Sequence, residues 1–206
     1  MISWSSIDYC GRWKALHYYA KRFFAPVMIS CEEESWMTAE ANMNRQHFVF
    51  PKSIRLHVAN ETMETRKILV KWQIRNAKAQ ILREEENIVV VSPMSGQWLE
   101  KVKLPEINVF CEYVSYEAGE KISEGTTIFS YPKYFRYEDP KLSFSINNDE
   151  ITVTANAYAK SVEIQNENQD LVLSDNYFDL NSNSRTVKIL RGNSTGIRVR
   201  SVYQIR

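Results

Sequence analysis

The chain has 206 residues, with 26 Lys+Arg against 25 Asp+Glu and a formal net charge of +1, a balance that argues against a nucleic-acid binder working through a basic field. Hydrophobic residues make up 44% and aromatics 12%, enough for a packed core and too much for a disordered chain. No apolar run approaches the ~18–20 residues of a membrane span, and Met1-Ile-Ser-Trp-Ser-Ser holds no basic region followed by an apolar core.

The first periodic segment is Asp8 to Phe24. Tyr9, Trp13, Leu16, Ala20 and Phe23 recur in steps of three and four, which predicts a helix with a heavily aromatic face. Ser5, Ser6 or Asp8 supplies its N-cap. Pro26 ends it, because the residue before a proline avoids the α region. From Val27 the period changes. Val27–Cys31 reads as a short strand and Glu32–His47 as a polar, weakly helical excursion or loop. Ile54, Leu56 and Val58, then Ile68, Val70, Trp72 and Ile74, alternate with polar residues as half-buried strands do. Ile88–Val91 is a short apolar run, Ile107–Tyr113 another alternating strand, and Thr126–Tyr131 returns from a turn at Ala118-Gly-Glu.

Pro132 to Pro140 breaks the pattern and marks a domain boundary. Beyond it Leu142, Phe144 and Ile146 alternate, Asn147–Glu150 forms a hairpin turn, and Ile151, Val153 and Ala155 return. Val162 with Ile164, Val187 with Ile189, and Ile197, Val199, Tyr203 and Ile205 continue the alternation. Short strands at this spacing read as antiparallel sandwiches, so the fold class is mainly β.

Little in the sequence has the spacing of a reactive centre. Cys10, Cys31 and Cys111 form no C-x-x-C pair, and His17, His47 and His57 stand alone, so neither a disulfide framework nor a metal site is expected. Glu32–Glu34 and Glu84–Glu86 are clusters of the kind that stay solvated. Asp175 and Asp179 lack the alternating oxygen ligands of a calcium loop. Asp175 and Asn176 read instead as turn caps, with Tyr177, Phe178 or Leu180 packing inward. Trp72 belongs to a core strand and Trp13 to the helix's apolar face, whereas Trp36 and Trp98 fall in less regular segments. Sequons occur at Asn60-Glu-Thr62 and Asn193-Ser-Thr195 and do not settle the compartment.

Two stretches carry a resemblance. Ile2-Ser-Trp-Ser-Ser-Ile-Asp-Tyr-Cys-Gly-Arg-Trp-Lys-Ala-Leu-His-Tyr-Tyr-Ala-Lys-Arg-Phe-Phe-Ala-Pro-Val27 resembles the last loop and last helix of the catalytic barrel in β-mannosidases of glycoside hydrolase family 2. Ser174-Asp-Asn-Tyr-Phe-Asp-Leu180 is similar to a phrase in the C-terminal immunoglobulin-like domain of the same enzymes. The resemblance implies that residues 1–24 end a (β/α)₈ barrel, that 25–135 form a mannosidase-type immunoglobulin-like sandwich, and that 136–206 form a terminal immunoglobulin-like sandwich. Fold and chemistry then follow as expectations: two antiparallel sandwiches preceded by one helix left over from a barrel.

Retaining glycosidases use two carboxyl groups ~5–5.5 Å apart. In the family both come from barrel strands before the segment that resembles residues 2–27, so this chain is expected to carry no catalytic residue and to be inactive alone. The parent would release β-linked mannose from the non-reducing end of an oligosaccharide, with no metal or organic cofactor, in a periplasmic, secreted or lysosomal setting. Trp4 lies on the loop that would leave the C-terminal face of the last barrel strand, where barrel active sites lie, which makes it a substrate-binding candidate in the intact enzyme. The partners implied are the missing catalytic barrel and the parent's oligosaccharide. Without the barrel, residues 1–24 are expected either to self-associate or to fold onto the chain's own sandwich. The alternative functions are a carbohydrate-binding module, with Trp36 or Trp98 on a concave sandwich face, and a free-standing structural or interaction protein.

Overall fold

The computed structural model describes residues 5–35, 52–104 and 108–205. It divides into two compact units, Ala25–Arg136 and a second made of Met1–Phe24 with Tyr137–Arg206.

In the unit Ala25–Arg136, strands run in the order β1 (Val27–Glu34), β2 (Ser53–Asn60), β3 (Arg66–Asn76), β4 (Ile81–Val91), β5 (Ser95–Trp98), β6 (Val102–Lys103), β7 (Val109–Glu117) and β8 (Glu120–Ile128). One sheet is β1-β2-β5, with β6 also paired to β2, and the other is β4-β3-β7-β8. Every pairing is antiparallel among the described strands. Alternate residues of the two sheets make one core: Ile29, Ile54, Leu56 and Val58 from the first, Ile68, Val70, Trp72, Val109 and Cys111 from the second. Each aliphatic side chain buried there contributes about 1.5–3 kcal/mol of transfer free energy.

Two features of this unit differ from the sequence reading. Strand β1 does not stop at Cys31 but continues through Glu34, with Glu32 opposite Arg55 and Glu34 opposite Ser53. The triple glutamate is therefore strand and not loop, because pairing to β2 satisfies its backbone whatever its side chains are. Strand β4 starts at Ile81, well before the apolar run Ile88–Val91. It is an edge strand, paired only to β3. Its Arg83–Glu86 side chains are solvent-exposed, so no hydrophobic alternation is needed to place them, and charge on such an edge discourages pairing with another chain.

In the second unit the strands are β9 (Ser143–Asn147), β10 (Glu150–Thr154), β11 (Tyr158–Gln165), β12 (Val172–Leu173), β13 (Phe178–Asn181), β14 (Ser184–Arg191) and β15 (Arg198–Arg200). They form the sheets β12-β14-β10-β9 and β13-β11-β15. Ile151, Val153 and Val187 on one sheet meet Val162, Ile164, Phe178 and Leu180 on the other. The β9–β10 hairpin turns at Asn148, whose φ of 54° is a left-handed value that asparagine tolerates. The expected strand through Ile205 ends at Arg200 instead. Val202–Ile205 is one helical turn, α2, opened by a capping box: Ser201 Oγ and its backbone N–H both reach Gln204 Oε1 at 2.7 Å.

Helix α1 (Ala15–Phe23) belongs to this second unit and begins seven residues later than the periodicity predicts. Residues Asp8–Lys14 are spent on a turn. Asp8 donates its N–H to Arg12 O at 3.0 Å, Gly11 has φ 74°, and Ile7 bridges Trp13. The N-cap is Lys14, with no side-chain cap bond, in place of the serines or Asp8. The buried face also differs from the predicted stripe. Tyr18 is buried at 1% exposure, while Tyr9, Leu16 and Phe23 stay exposed.

Candidate functional site

The substrate-binding candidate Trp4 lies outside the described residues, as does Trp36. The segment that follows Trp4 is described, and it is built inward from its own polar groups. Ser5 Oγ donates to Ile7 O at 2.6 Å, and Ser6 Oγ lies 3.3 Å from His17 Nδ1. Asp8 Oδ1 accepts the Arg12 N–H at 2.9 Å, and Lys14 N donates to Ser6 O at 3.0 Å. The turn therefore closes on the first turn of α1. Trp13 packs on His17 with ring centroids 4.3 Å apart and on Tyr18 at 5.6 Å.

Helix α1 is in turn held by the loop between β12 and β13, which carries Ser174-Asp-Asn-Tyr177. Arg22 reaches three acceptors there: Asp175 Oδ1 and Asn176 O at 2.6 Å, and Tyr177 O at 3.1 Å. Lys21 Nζ donates to Ser174 O at 3.2 Å. One turn earlier, Tyr18 Oη accepts the Leu173 N–H at 3.2 Å, and its ring lies 5.9 Å from that of Tyr177. Burial raises the Tyr18 pKa, although the Leu173 bond opposes it. Arg191 of β14 donates to Gly11 O in the preceding turn.

The loop's own side chains are satisfied by hydrogen bonds and ion pairs within the same unit. Asn176 Oδ1 accepts the N–H groups of Ile164 and Tyr177 at 2.9 Å, and its amide donates to Ile164 O at 3.0 Å. Asp175 takes Arg185 on its second oxygen at 2.9 Å. Burial first, then the nearby Arg22 charge, lowers the Arg185 pKa to about 10. Tyr177 Oη donates to Glu163 at 2.8 Å, and Glu163 also pairs with Arg200. Asp179 accepts from Tyr158 Oη at 2.8 Å and from the Ser161 N–H at 2.7 Å, fixing the bulge in β11. The carboxylates of Asp175 and Asp179 are thus taken by protein donors, and Phe178 and Leu180 pack inward. Sequence spacing alone singled out Asp175 and Asn176 but not Tyr18, Arg22 or Arg191. The available signal was Tyr18 and Arg22 at i, i+4 on α1, a face the apolar stripe obscured.

The remaining candidates lie apart from this cluster. Trp98 pairs across strands with His57, ring centroids 4.4 Å apart, and Arg55 lies over its ring at 5.0 Å. Gly96 leaves the space that the His57 ring fills. Trp72 is core, and beside it Ile54, Leu99, Glu85 and Glu100 line a cleft of about 90 Å³, below the ~300–1,000 Å³ of small-molecule pockets. Glu84 and Glu86 bind Gln73 and Lys71 on β3, and Glu34 binds Lys101 at 2.6 Å, which lowers the Glu34 pKa. Among the described residues no group of three or more His, Cys, Asp and Glu is placed to hold a metal. Cys10 is exposed and Cys111 buried. Asn60 of the first sequon is buried, its amide donating to Glu64, Ser92 and Val91 carbonyls, whereas Asn193 is exposed.

Similarity to known proteins falls on the same elements. A Mannosidase Ig/CBM-like domain matches residues 52–134, and an Ig-fold domain of the mannosidase type matches residues 137–205. A β-mannosidase of Mus musculus is 38% identical over 58 residues, 27% of this chain and 6% of that protein. One of Capra hircus is 65% identical over 26 residues, 13% of this chain and 3% of that protein. The crystal structure of a β-D-mannosidase from Dictyoglomus thermophilum superposes on 97% of this chain and 24% of its own, with a TM-score of 0.72 and 15% identity. An exo-chitosanase of Amycolatopsis orientalis covers 96% of this chain and 29% of its own, with a TM-score of 0.58 and 12% identity. The two superpositions show the fold, and the chain spans 24% and 29% of those enzymes. With both mannosidase-type immunoglobulin-like domains matched in order, the chain is similar to a C-terminal fragment of a β-mannosidase of glycoside hydrolase family 2.

Proposed function

We propose that this chain supports the catalytic barrel and active-site rim of a retaining, exo-acting β-mannosidase that works without metal or organic cofactor. The observation that favours a supporting role is the two-sided use of α1. Tyr18 and Arg22 on one face are gripped by the C-terminal sandwich, while Leu16, Phe23 and the following Phe24 stay exposed. An apolar face of this kind has an occupant in a larger assembly. In the proposed enzyme that occupant is the rest of the barrel.

The test is turnover of an aryl β-mannoside by the pure chain and by the enzyme that contains it. The chain alone is expected to give no hydrolysis above buffer, and the containing enzyme to release β-mannose with retention. Turnover by the chain alone overturns the supporting role. Light scattering on the pure chain reads the same face: self-association through residues 1–24 follows if nothing else covers it.

A further inference from the structure

We infer that the open edge of β15, with the uncovered inward faces of Phe144 and Ile146, is a groove for an extended peptide strand whose alternate side chains are apolar and acidic.

The two sheets of the C-terminal sandwich do not cover each other fully. Phe144 and Ile146 of β9 stand opposite Val153 and Ile151 of β10, so they share the core face of that sheet. Val153 and Ile151 are 0% exposed, whereas Phe144 is 43% and Ile146 41% exposed. The difference lies in what the opposing sheet reaches. Strands β12 and β13 are the edges of their sheets at one side, because only the short loop Ser174–Tyr177 joins them. That leaves β9 and β15 as the edges at the other side. Ile197 and Val199 of the β15 segment pack inward against the core yet are only half-buried. Apolar side chains of both sheets therefore border one side of the sandwich, with no strand laid over them among the described residues.

Strand β15 pairs with β11 along one edge and with no described strand along the other. After Arg200 the chain turns at the Ser201 cap into α2 and does not run back beside β15 within the described residues. The open edge keeps N–H and C=O groups that an added strand satisfies, while alternate side chains of that strand supply specificity. A strand added there lies across from β9, and its inward side chains meet Phe144 and Ile146. A strand added instead to the free edge of β9 lengthens the other sheet and leaves both side chains uncovered.

The outward face of β15 selects the occupant. Arg198 and Arg200 flank Val199, and both are exposed. Arg200 pairs with Glu163 through Nε alone, and Arg198 has no ion pair among the described residues. Carboxylates on the outward face of an incoming strand pair with both arginines across the ladder. A second copy of the chain does not supply them, since antiparallel pairing of two β15 strands about Val199 sets arginine against arginine.

The test titrates the full chain with acetyl-Glu-Val-Glu-Val-Glu-Val-Glu-amide and with the same peptide carrying lysine for glutamate, followed by amide NMR shifts. The acidic peptide is expected to bind saturably, to shift residues 143–147 and 197–201, and to bind about tenfold tighter than the lysine peptide. Phe144→Ser should weaken it severalfold, and Arg198→Glu should reverse the preference between the peptides. Melting temperature and circular dichroism check that both variants fold, and the comparison of the two peptides on wild type stands without either. No saturable shift up to about 1 mM acidic peptide, shifts confined to other residues, or equal affinity for both peptides overturns the inference. Shifts at β15 that grow with protein concentration in the absence of peptide make a second copy the occupant and overturn the acidic strand.

Discussion

Arg22 Nη2 lies 2.6 Å from Asp175 Oδ1, joining positions 153 residues apart in the chain. Asp175 also serves Arg185, so one carboxylate balances two guanidiniums. The two ends of this arrangement are not equivalent. Arg22→Met leaves Asp175 paired with Arg185 and returns two carbonyls to water, for a loss of about 1–2 kcal/mol. Asp175→Ala removes the carboxylate that both Arg22 and the half-buried Arg185 use, for about 3 kcal/mol. Urea unfolding of the two variants should give that order, and an equal or reversed order would show that the carboxylate is not the shared element.

Tyr113 lies flat across Gly125, its cross-strand partner in the β7–β8 pair. A Cβ at 125 would come within 2.4 Å of the Tyr113 ring, which is buried. Gly125→Ala should therefore cost about 1–3 kcal/mol through overpacking. The double variant Gly125→Ala, Tyr113→Leu should recover part of it. Failure of the second substitution to relieve the first would place the strain elsewhere.

The three thiols should separate by reactivity. Cys10 is exposed. Burial raises the Cys31 pKa to about 11, and burial raises that of Cys111 well above the ordinary thiol value. Iodoacetamide at pH 8 should label Cys10 in the native chain and all three cysteines once the chain is unfolded in guanidinium. The same shift couples to folding. Between pH 9 and 11 the unfolded chain ionises Cys31 while the native chain keeps its proton, so stability falls as pH rises through that window. Cys31→Ser should flatten that part of the stability profile, as followed by urea midpoints at pH 8, 9 and 10.

These tests bear unequally on what could be read beforehand. Strands buried on one face announced themselves: Ile68, Val70, Trp72 and Ile74 alternate because each alternate side chain enters the core. Strand β4 did not, since an edge strand with exposed Arg83–Glu86 needs only its backbone partner. Asp8 and Gly11 carried turn chemistry that the aromatic stripe outweighed in the reading of α1, and Ser201 with Gln204 carried a capping box hidden under an apparent alternation. The turn role of Asp175 and Asn176 was legible from residue type. The grip of Asp175 on Arg22, of Leu173 on Tyr18 and of Arg191 on the Gly11 turn was not, because contacts across more than a hundred residues leave no spacing to detect.

His57 faces Trp98 on the outer side of the β1-β2-β5 sheet, and burial lowers its pKa. Above pH 6.5 the ring is neutral in both the native and the unfolded chain, so it contributes no pH dependence. As pH falls below 6.5, the unfolded chain takes up a proton that the native site refuses, and stability drops until pH passes His57's own lowered value. His57→Phe keeps a ring against Trp98 and removes the proton site. Wild type should therefore lose more stability than His57→Phe between pH 7.5 and 5 when unfolding is followed by tryptophan fluorescence in urea. Parallel losses in the two proteins would show that the acid sensitivity comes from carboxylates elsewhere and that the His57–Trp98 contact does not resist protonation.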